Sequence, residues 1–172
     1  MDQHPAGTGY ALWLMPGGQT YRHLARRILE FSRRHSTPRF EPHVTLFSGI
    51  TLPEPEAISH AATLARRLAP FEVRLGEVDF TDEYFRCLFL CVLSADALLE
   101  AHKTACEVFG LRDQQPYTPH LSLMYGSLPL EVKKRIAAGP SAHLSFQASR
   151  LHLYSVNGRP DVWRPAGTFN LG

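Results

Sequence analysis

The 172-residue sequence predicts an α+β fold of two lobes, with helices outside and two motif strands facing across a central cleft. Three observations carry this. Strand-like and helix-like stretches alternate along the chain. The stretches Pro42-His43-Val44-Thr45-Leu46 and Pro119-His120-Leu121-Ser122-Leu123 are near copies, each reading Pro, His, apolar, hydroxyl, apolar. No Gly/Ser-rich linker or low-complexity stretch divides the chain, so residues 1–172 are expected to form one bilobal unit.

After a polar lead, Tyr10 to Met15 reads as a first strand, ended by Pro16-Gly17-Gly18. A helix is predicted from Thr20 to about His35, with Leu24, Ile28 and Phe31 as its buried stripe and Arg26, Arg27, Arg33 and Arg34 on a solvated side. Pro38 stops it, and Phe40 to Ser48 forms the strand holding the first motif. A second helix runs from Pro53 to Ala69, with Ile58, Ala61, Ala65 and Leu68 inward. Strands Phe71 to Phe80 and Tyr84 to Leu93 follow, joined by Thr81-Asp82-Glu83. The second is apolar on both faces and is expected centrally.

Ser94 is the expected cap of a helix reaching Phe109, with Leu98, Ala101, Ala105 and Phe109 inward and Gly110 in the left-handed end position. Gln114 to Thr118 reads as a loop, and Pro119 to Tyr125 as the second motif strand. Pro129 opens a short helix with Val132 and Ile136 inward and Lys133, Lys134 and Arg135 on its wet face. Gly139-Pro140 closes it. The last strands lie near Leu144 to Ser155 and Asp161 to Asn170, turned by Asn157-Gly158. In halves, the order suggests β-α-β-α-β-β occurring roughly twice.

In an extended strand, side chains at i and i+2 share a face, so His43 lies with Thr45 and His120 with Ser122. Two imidazoles and two hydroxyls suit displacement at phosphorus. One histidine can take a proton from the attacking oxygen while the other gives one to the leaving oxygen. The hydroxyls can hold the non-bridging oxygens, where charge concentrates in the transition state. A single such motif is weak, since any half-buried strand can carry it; its duplication gives it weight. His4, His23, His35, His60, His102, His143 and His152 show no ligand spacing and are expected to be structural. HExxH, Walker and GxGxxG motifs are absent. Neither a metal nor another cofactor is therefore expected.

A net charge of +2 with His neutral leaves no large basic field, so long nucleic acid is not an expected partner, whereas a small anion is compatible. No apolar run spans a bilayer and no signal-peptide pattern opens the chain, so a cytoplasmic, soluble protein with no membrane partner is expected; a monomer is expected as well, although the sequence does not fix the oligomeric state. Cys87 and Cys91, four positions apart in a strand, would lie roughly 13 Å apart and cannot bridge. A bridge from Cys106 to either stays open.

Two motifs of this form in a chain of this size resemble the two-histidine phosphoesterase superfamily. Five blocks are more specifically similar to the cyclic phosphodiesterases acting on ADP-ribose 1″,2″-cyclic phosphate. They are Tyr10 to Pro16, Pro38 to Thr45, Tyr84 to Leu90, Pro116 to Gly126 and Arg150 to Tyr154. The resemblance implies two antiparallel sheets with outer helices, His43 and His120 as the acid/base pair, and Thr45 and Ser122 on the phosphate. It also matches Trp13 and Tyr125 to aromatic positions lining the pocket. Trp13 fits a core position equally well. Strand parity puts Tyr125 opposite His120, so it reaches the cleft only if the strand bends or ends before Gly126.

The implied reaction is metal-independent opening of a small-molecule ribose cyclic phosphate. ADP-ribose 1″,2″-cyclic phosphate would give the 1″-phosphate, and nucleoside 2′,3′-cyclic phosphates the 2′-phosphates. His120 is the preferred base and His43 the preferred acid, although two near-identical motifs do not fix the polarity. Two rivals stand beside this reading. One is an RNA end-processing enzyme acting on 2′,3′-cyclic phosphate termini or 2′-5′ linkages; the other is a nucleotide-binding module without turnover.

Overall fold

Alternating leucines build the protein's sheet. In β1 (Tyr10–Leu14) Leu12 and Leu14 enter the main core, while Ala11 and Trp13 face the other way. The same parity holds in β2 (Val44–Ile50) through Val44 and Leu46, and in β5 (His120–Met124) through Leu121 and Leu123. Each fully buried leucine contributes roughly 1.5–3 kcal/mol of transfer free energy, so this alternation fixes the strand register against a one-residue slip. The computed structural model describes residues 5–93, 95–111, 116–140 and 143–172.

The remaining strands are β3 (Phe71–Phe80), β4 (Leu88–Leu93), β6 (Leu144–Ala148), β7 (Arg150–Ser155) and β8 (Arg164–Asn170). All eight pair antiparallel in the order β6-β3-β4-β5-β2-β1-β7-β8. The α+β class therefore holds, but one sheet replaces the two expected. Its middle is thin: β2 and β5 meet through the single pair Val44 and Leu121. The motif strands are thus the inner edges of two four-stranded halves. Tethers reinforce the seam, since the Tyr117 hydroxyl donates to the Thr45 carbonyl at 2.8 Å and His102 Nδ1 bonds the Leu46 carbonyl at 2.7 Å.

Helices α1 (Gly18–His35), α2 (Glu54–Arg67), α3 (Asp96–Phe109) and α4 (Leu130–Ala137) pack on the leucine face. Helices α2 and α3 cover the β2, β7 and β8 side, whereas α1 lies on β5 and β6 and α4 on β3. The halves are therefore interleaved in sequence, not two consecutive copies. The segment read as one strand from Leu144 to Ser155 is the physical reason. It pairs with β3 as far as Ala148, breaks at Ser149, and then pairs with β1 and β8, so it serves both halves. The Ser149 carbonyl exposed by the break accepts the Leu171 N–H at 3.0 Å.

Two other expectations are corrected. Tyr84–Arg86 forms a 3₁₀ turn before β4 and is not strand; the Thr81 N–H and hydroxyl both donate to the Arg86 carbonyl, which closes the turn. Lys133, placed on the wet face by its charge, is 2% exposed. Its Nζ donates to the Thr81 carbonyl at 2.9 Å, pairs with the exposed Asp82 carboxylate and lies 5.5 Å from the Phe80 ring centre. A long aliphatic stem can cross the helix–sheet interface and still deliver its charge to a loop.

The α3 stripe is as read, with Leu98, Ala101, Ala105 and Phe109 buried and Gly110 at φ 63°, whereas in α1 Leu24 and Ile28 are buried and Phe31 is only half-buried. In α2, Leu64 is buried where Ile58 is only half so. The cap expected of Ser94, the residues Gln114 and Gln115 of the expected loop, and His4 lie outside the described residues. All three cysteines are free thiols, so Cys106 forms no bridge. Among the described residues, no helix is long and apolar enough to cross a membrane.

Candidate active site

Each motif histidine is aimed by its own backbone. His43 Nδ1 bonds the Glu41 carbonyl at 2.6 Å, and His120 Nδ1 bonds the Thr118 carbonyl at 2.8 Å. In both cases the acceptor lies two residues back, across a proline. Proline fixes its own φ and keeps the preceding residue extended, so the carbonyl is presented to the ring at no further ordering cost. A carbonyl can only accept; Nδ1 must therefore carry the proton, and Nε2 of each ring is left with its lone pair. This explains why Pro belongs in both motifs.

The seam supplies the rest of the arrangement. Continued one residue either way from the Val44–Leu121 pair, the antiparallel register sets His43 across from Ser122 and His120 across from Thr45. All four line one open cleft of about 360 Å³, together with Trp13 and Tyr125. The six residues singled out by the sequence thus come together, and no other described histidine lines that cleft. Trp13 is both core and wall: it is 2% exposed, and its ring lies between Tyr154 and His43, with centroids 3.9 and 3.6 Å away.

Tyr125 resolves its parity conflict by leaving the strand. The ladder ends at Met124, and Gly126 adopts φ 140°, with its N–H donating to the Tyr84 carbonyl at 2.9 Å. A side chain at 126 would be strained at that φ and would also meet the Thr37 methyl at 3.0 Å. The turn rotates Tyr125 onto Phe40, ring centroids 3.7 Å apart, where burial pushes its phenol pKa well up. Its hydroxyl interacts with that of Ser122. Ser122 Oγ itself donates to the Phe85 carbonyl at 2.9 Å, so it must turn away from the 3₁₀ turn to reach an anion.

Both imidazoles are poised neutral. Burial pushes the pKa of His43 down to about 3, against the pull of the Glu41 carbonyl and with added repulsion from His120. His120 is lowered also, first by burial and then, against the Thr118 hydrogen bond, by the Arg86 charge. Arg86 and Glu83 line the cleft and were not singled out from the sequence. An aromatic run carries no periodic sign of the 3₁₀ turn that places them. Among the described residues, no group of three His, Cys, Asp or Glu side chains is arranged to hold a metal.

Paired histidines with pinned Nδ1 atoms, each beside a hydroxyl in one cleft of a seamed antiparallel sheet, define a phosphoesterase of the two-histidine class. The chain belongs to the 2′-5′ RNA ligase superfamily, whose family model matches residues 7–160. A cyclic phosphodiesterase of Arabidopsis thaliana is 28% identical over 174 residues, covering 94% of each chain. Among solved structures, the protein TT0787 of Thermus thermophilus superposes with TM-score 0.65 at 16% identity, over 95% of this chain and 98% of that one. E. coli LigT complexed with 3′-AMP gives TM-score 0.62 at 15% identity, over 96% and 98%. At those identities the solved structures speak for the fold.

Proposed function

We propose that this protein is a metal-independent cyclic phosphodiesterase. It opens the five-membered cyclic phosphate of a ribose, converting ADP-ribose 1″,2″-cyclic phosphate to the 1″-phosphate and nucleoside 2′,3′-cyclic phosphates to 2′-phosphates. The observation that carries the reading is the pair of Nε2 lone pairs, each fixed by an Nδ1–carbonyl bond and each lining the same cleft. The likeness to the Arabidopsis cyclic phosphodiesterase supports the substrate class. Cytoplasmic residence and action as one monomeric bilobal unit belong to the same proposal.

His120 acts as base and His43 as acid. Burial, and after it the Arg86 charge, opposes protonation of His120 and leaves it ready to accept a proton from water. His43 lies flat on the Trp13 ring, whose π-face favours an imidazolium once the phosphate anion arrives. Water gives its proton to His120 Nε2 and attacks phosphorus in line. The leaving ribose oxygen takes the proton on His43 Nε2. Thr45 and Ser122 donate to the non-bridging oxygens, where charge grows.

The test is a turnover comparison, with EDTA present, across ADP-ribose 1″,2″-cyclic phosphate, nucleoside 2′,3′-cyclic phosphates and an RNA with a 2′,3′-cyclic end. Small substrates are expected to be hydrolysed. Turnover of the RNA alone would transfer the assignment to end processing, a reading favoured by the superfamily's description. Activity lost to EDTA and restored by a divalent ion would remove metal independence.

A further inference from the structure

The cleft does not end at the histidines. A second cavity of about 340 Å³ adjoins it, lined among others by Tyr117 and Thr118 and sharing Thr45, Ser48, Arg86 and His120 with the cleft. Arg86 stands in the shared wall and is the one Lys or Arg side chain among the described residues lining either space. Its Nε is buried and has no hydrogen-bond partner among the described residues. Its nearest carboxylate is Glu83, 3.9 Å from Nη1 and two-thirds exposed, too distant for a close charge-assisted bond.

Arg86 is nevertheless held in place. Its guanidinium carbon lies 5.2 Å from the Phe89 ring centre, and its carbonyl is bonded by Thr81, which Lys133 anchors in turn. A buried, unpaired N–H on a fixed cation is costly unless an anion completes it. In the proposed reaction the cyclic phosphate lies between His43 and His120. A group attached to the same sugar through its 5′ oxygen lies one sugar away, and the adjoining cavity opens beyond the wall that Thr45, Ser48, Arg86 and His120 share with the cleft.

We propose that this cavity, with Arg86 at its mouth, is a subsite for a second phosphate, carried on the 5′ oxygen of the sugar whose cyclic phosphate reacts. The inference rests on the cyclic phosphodiesterase reading for the place of the first phosphate. Two sources share this chemistry: the pyrophosphate of an ADP-ribose derivative and the internucleotide phosphate of a short RNA. Arg86 makes charge-assisted hydrogen bonds to either from the partly exposed Nη end of its guanidinium.

The first readout is affinity, which needs no turnover. Adenosine 2′-monophosphate and adenosine 2′,5′-bisphosphate are titrated into the wild type, Arg86→Gln, Arg86→Lys and Ser48→Glu, with thermal melts to verify folding. The bisphosphate is expected to bind the wild type at least ten-fold tighter. That advantage should fall to within two-fold in Arg86→Gln and Ser48→Glu and be partly kept in Arg86→Lys. Equal affinity of the two ligands for the wild type, or an advantage intact in Arg86→Gln, overturns the subsite. Should Arg86→Gln fail to fold, the wild-type ratio and Ser48→Glu decide the matter.

The second readout is kcat/KM for adenosine 2′,3′-cyclic phosphate, a dinucleotide with a cyclic end and ADP-ribose 1″,2″-cyclic phosphate. At least one extended substrate is expected to be favoured ten-fold or more, and its identity names the source. Loss of that preference in Arg86→Gln supports the subsite, whereas an equal loss on all three substrates places Arg86 on the reacting phosphate and overturns it. Absence of all turnover would sink the proposed reaction while leaving the affinity ratio to judge the subsite.

Discussion

An acid catalyst must be protonated when the leaving oxygen departs, yet burial holds His43 neutral, its pKa pushed down to about 3. The substrate must supply what is missing. A phosphate monoanion about 4 Å from the imidazolium contributes about 4 kcal/mol at an effective dielectric near 20, equivalent to about three pH units of titration. The descending arm of kcat, which reports the bound state, should therefore lie about three pH units above that of kcat/KM, which reports the free enzyme. Profiles from about pH 2 to 9 at constant ionic strength bracket both arms, because the free-enzyme arm falls near the depressed His43 pKa of about 3. Coincident arms, or a kcat arm lying at lower pH, would refute the idea that the anion recruits the proton onto a buried His43.

Other expectations follow from the same geometry. His43→Ala and His120→Ala should each lower kcat on the order of 10² to 10⁴-fold with melting curves still cooperative, while Thr45→Ala and Ser122→Ala should cost less, because water can partly replace a hydroxyl. The depressed His43 pKa binds fewer protons in the folded than in the unfolded chain, whose histidine titrates near 6.5. Its contribution to stability is thus full above about pH 6.5 and is lost as pH falls toward 3, on the order of a few kcal/mol, and His43→Gln should flatten the acid limb of a urea-midpoint series. Lys133→Ala removes a buried stem and the bond to the Thr81 carbonyl, so it should destabilise by about 2 kcal/mol in urea melts and raise KM by loosening the turn that carries Arg86.

The sequence is most legible where physics is local. Turn residues and apolar runs located the strands, apolar spacing located the helices, and Pro-His-apolar-hydroxyl recurred because each proline serves its own histidine across two residues. What depends on distant partners was not legible. Nothing in residues 144–155 announces that Ser149 marks a change of partner from β3 to β1 and β8, so two consecutive half-folds were expected where the halves interleave. The charge on Lys133 suggested solvent because its acceptors belong to the loop after β3, far away in the chain. Arg86 lay in a run read as strand, and the turn that carries it is visible only in the hydrogen bonds from Thr81 to its carbonyl and from its own N–H to the Glu83 carbonyl.

The central claim is that His43 and His120 work as one pair on a ribose cyclic phosphate held in a single orientation. Phosphorus NMR of a nucleoside 2′,3′-cyclic phosphate incubated with the EDTA-treated protein tests this directly. Trp13 and Tyr125 line the cleft, and on the proposal that they confine the sugar it cannot turn over to present its other oxygen to His43. The account predicts one product resonance, that of the 2′-monoester, strongly diminished in both His43→Ala and His120→Ala. A comparable mixture of 2′- and 3′-monoesters, or an undiminished 2′ signal from either variant, would contradict it.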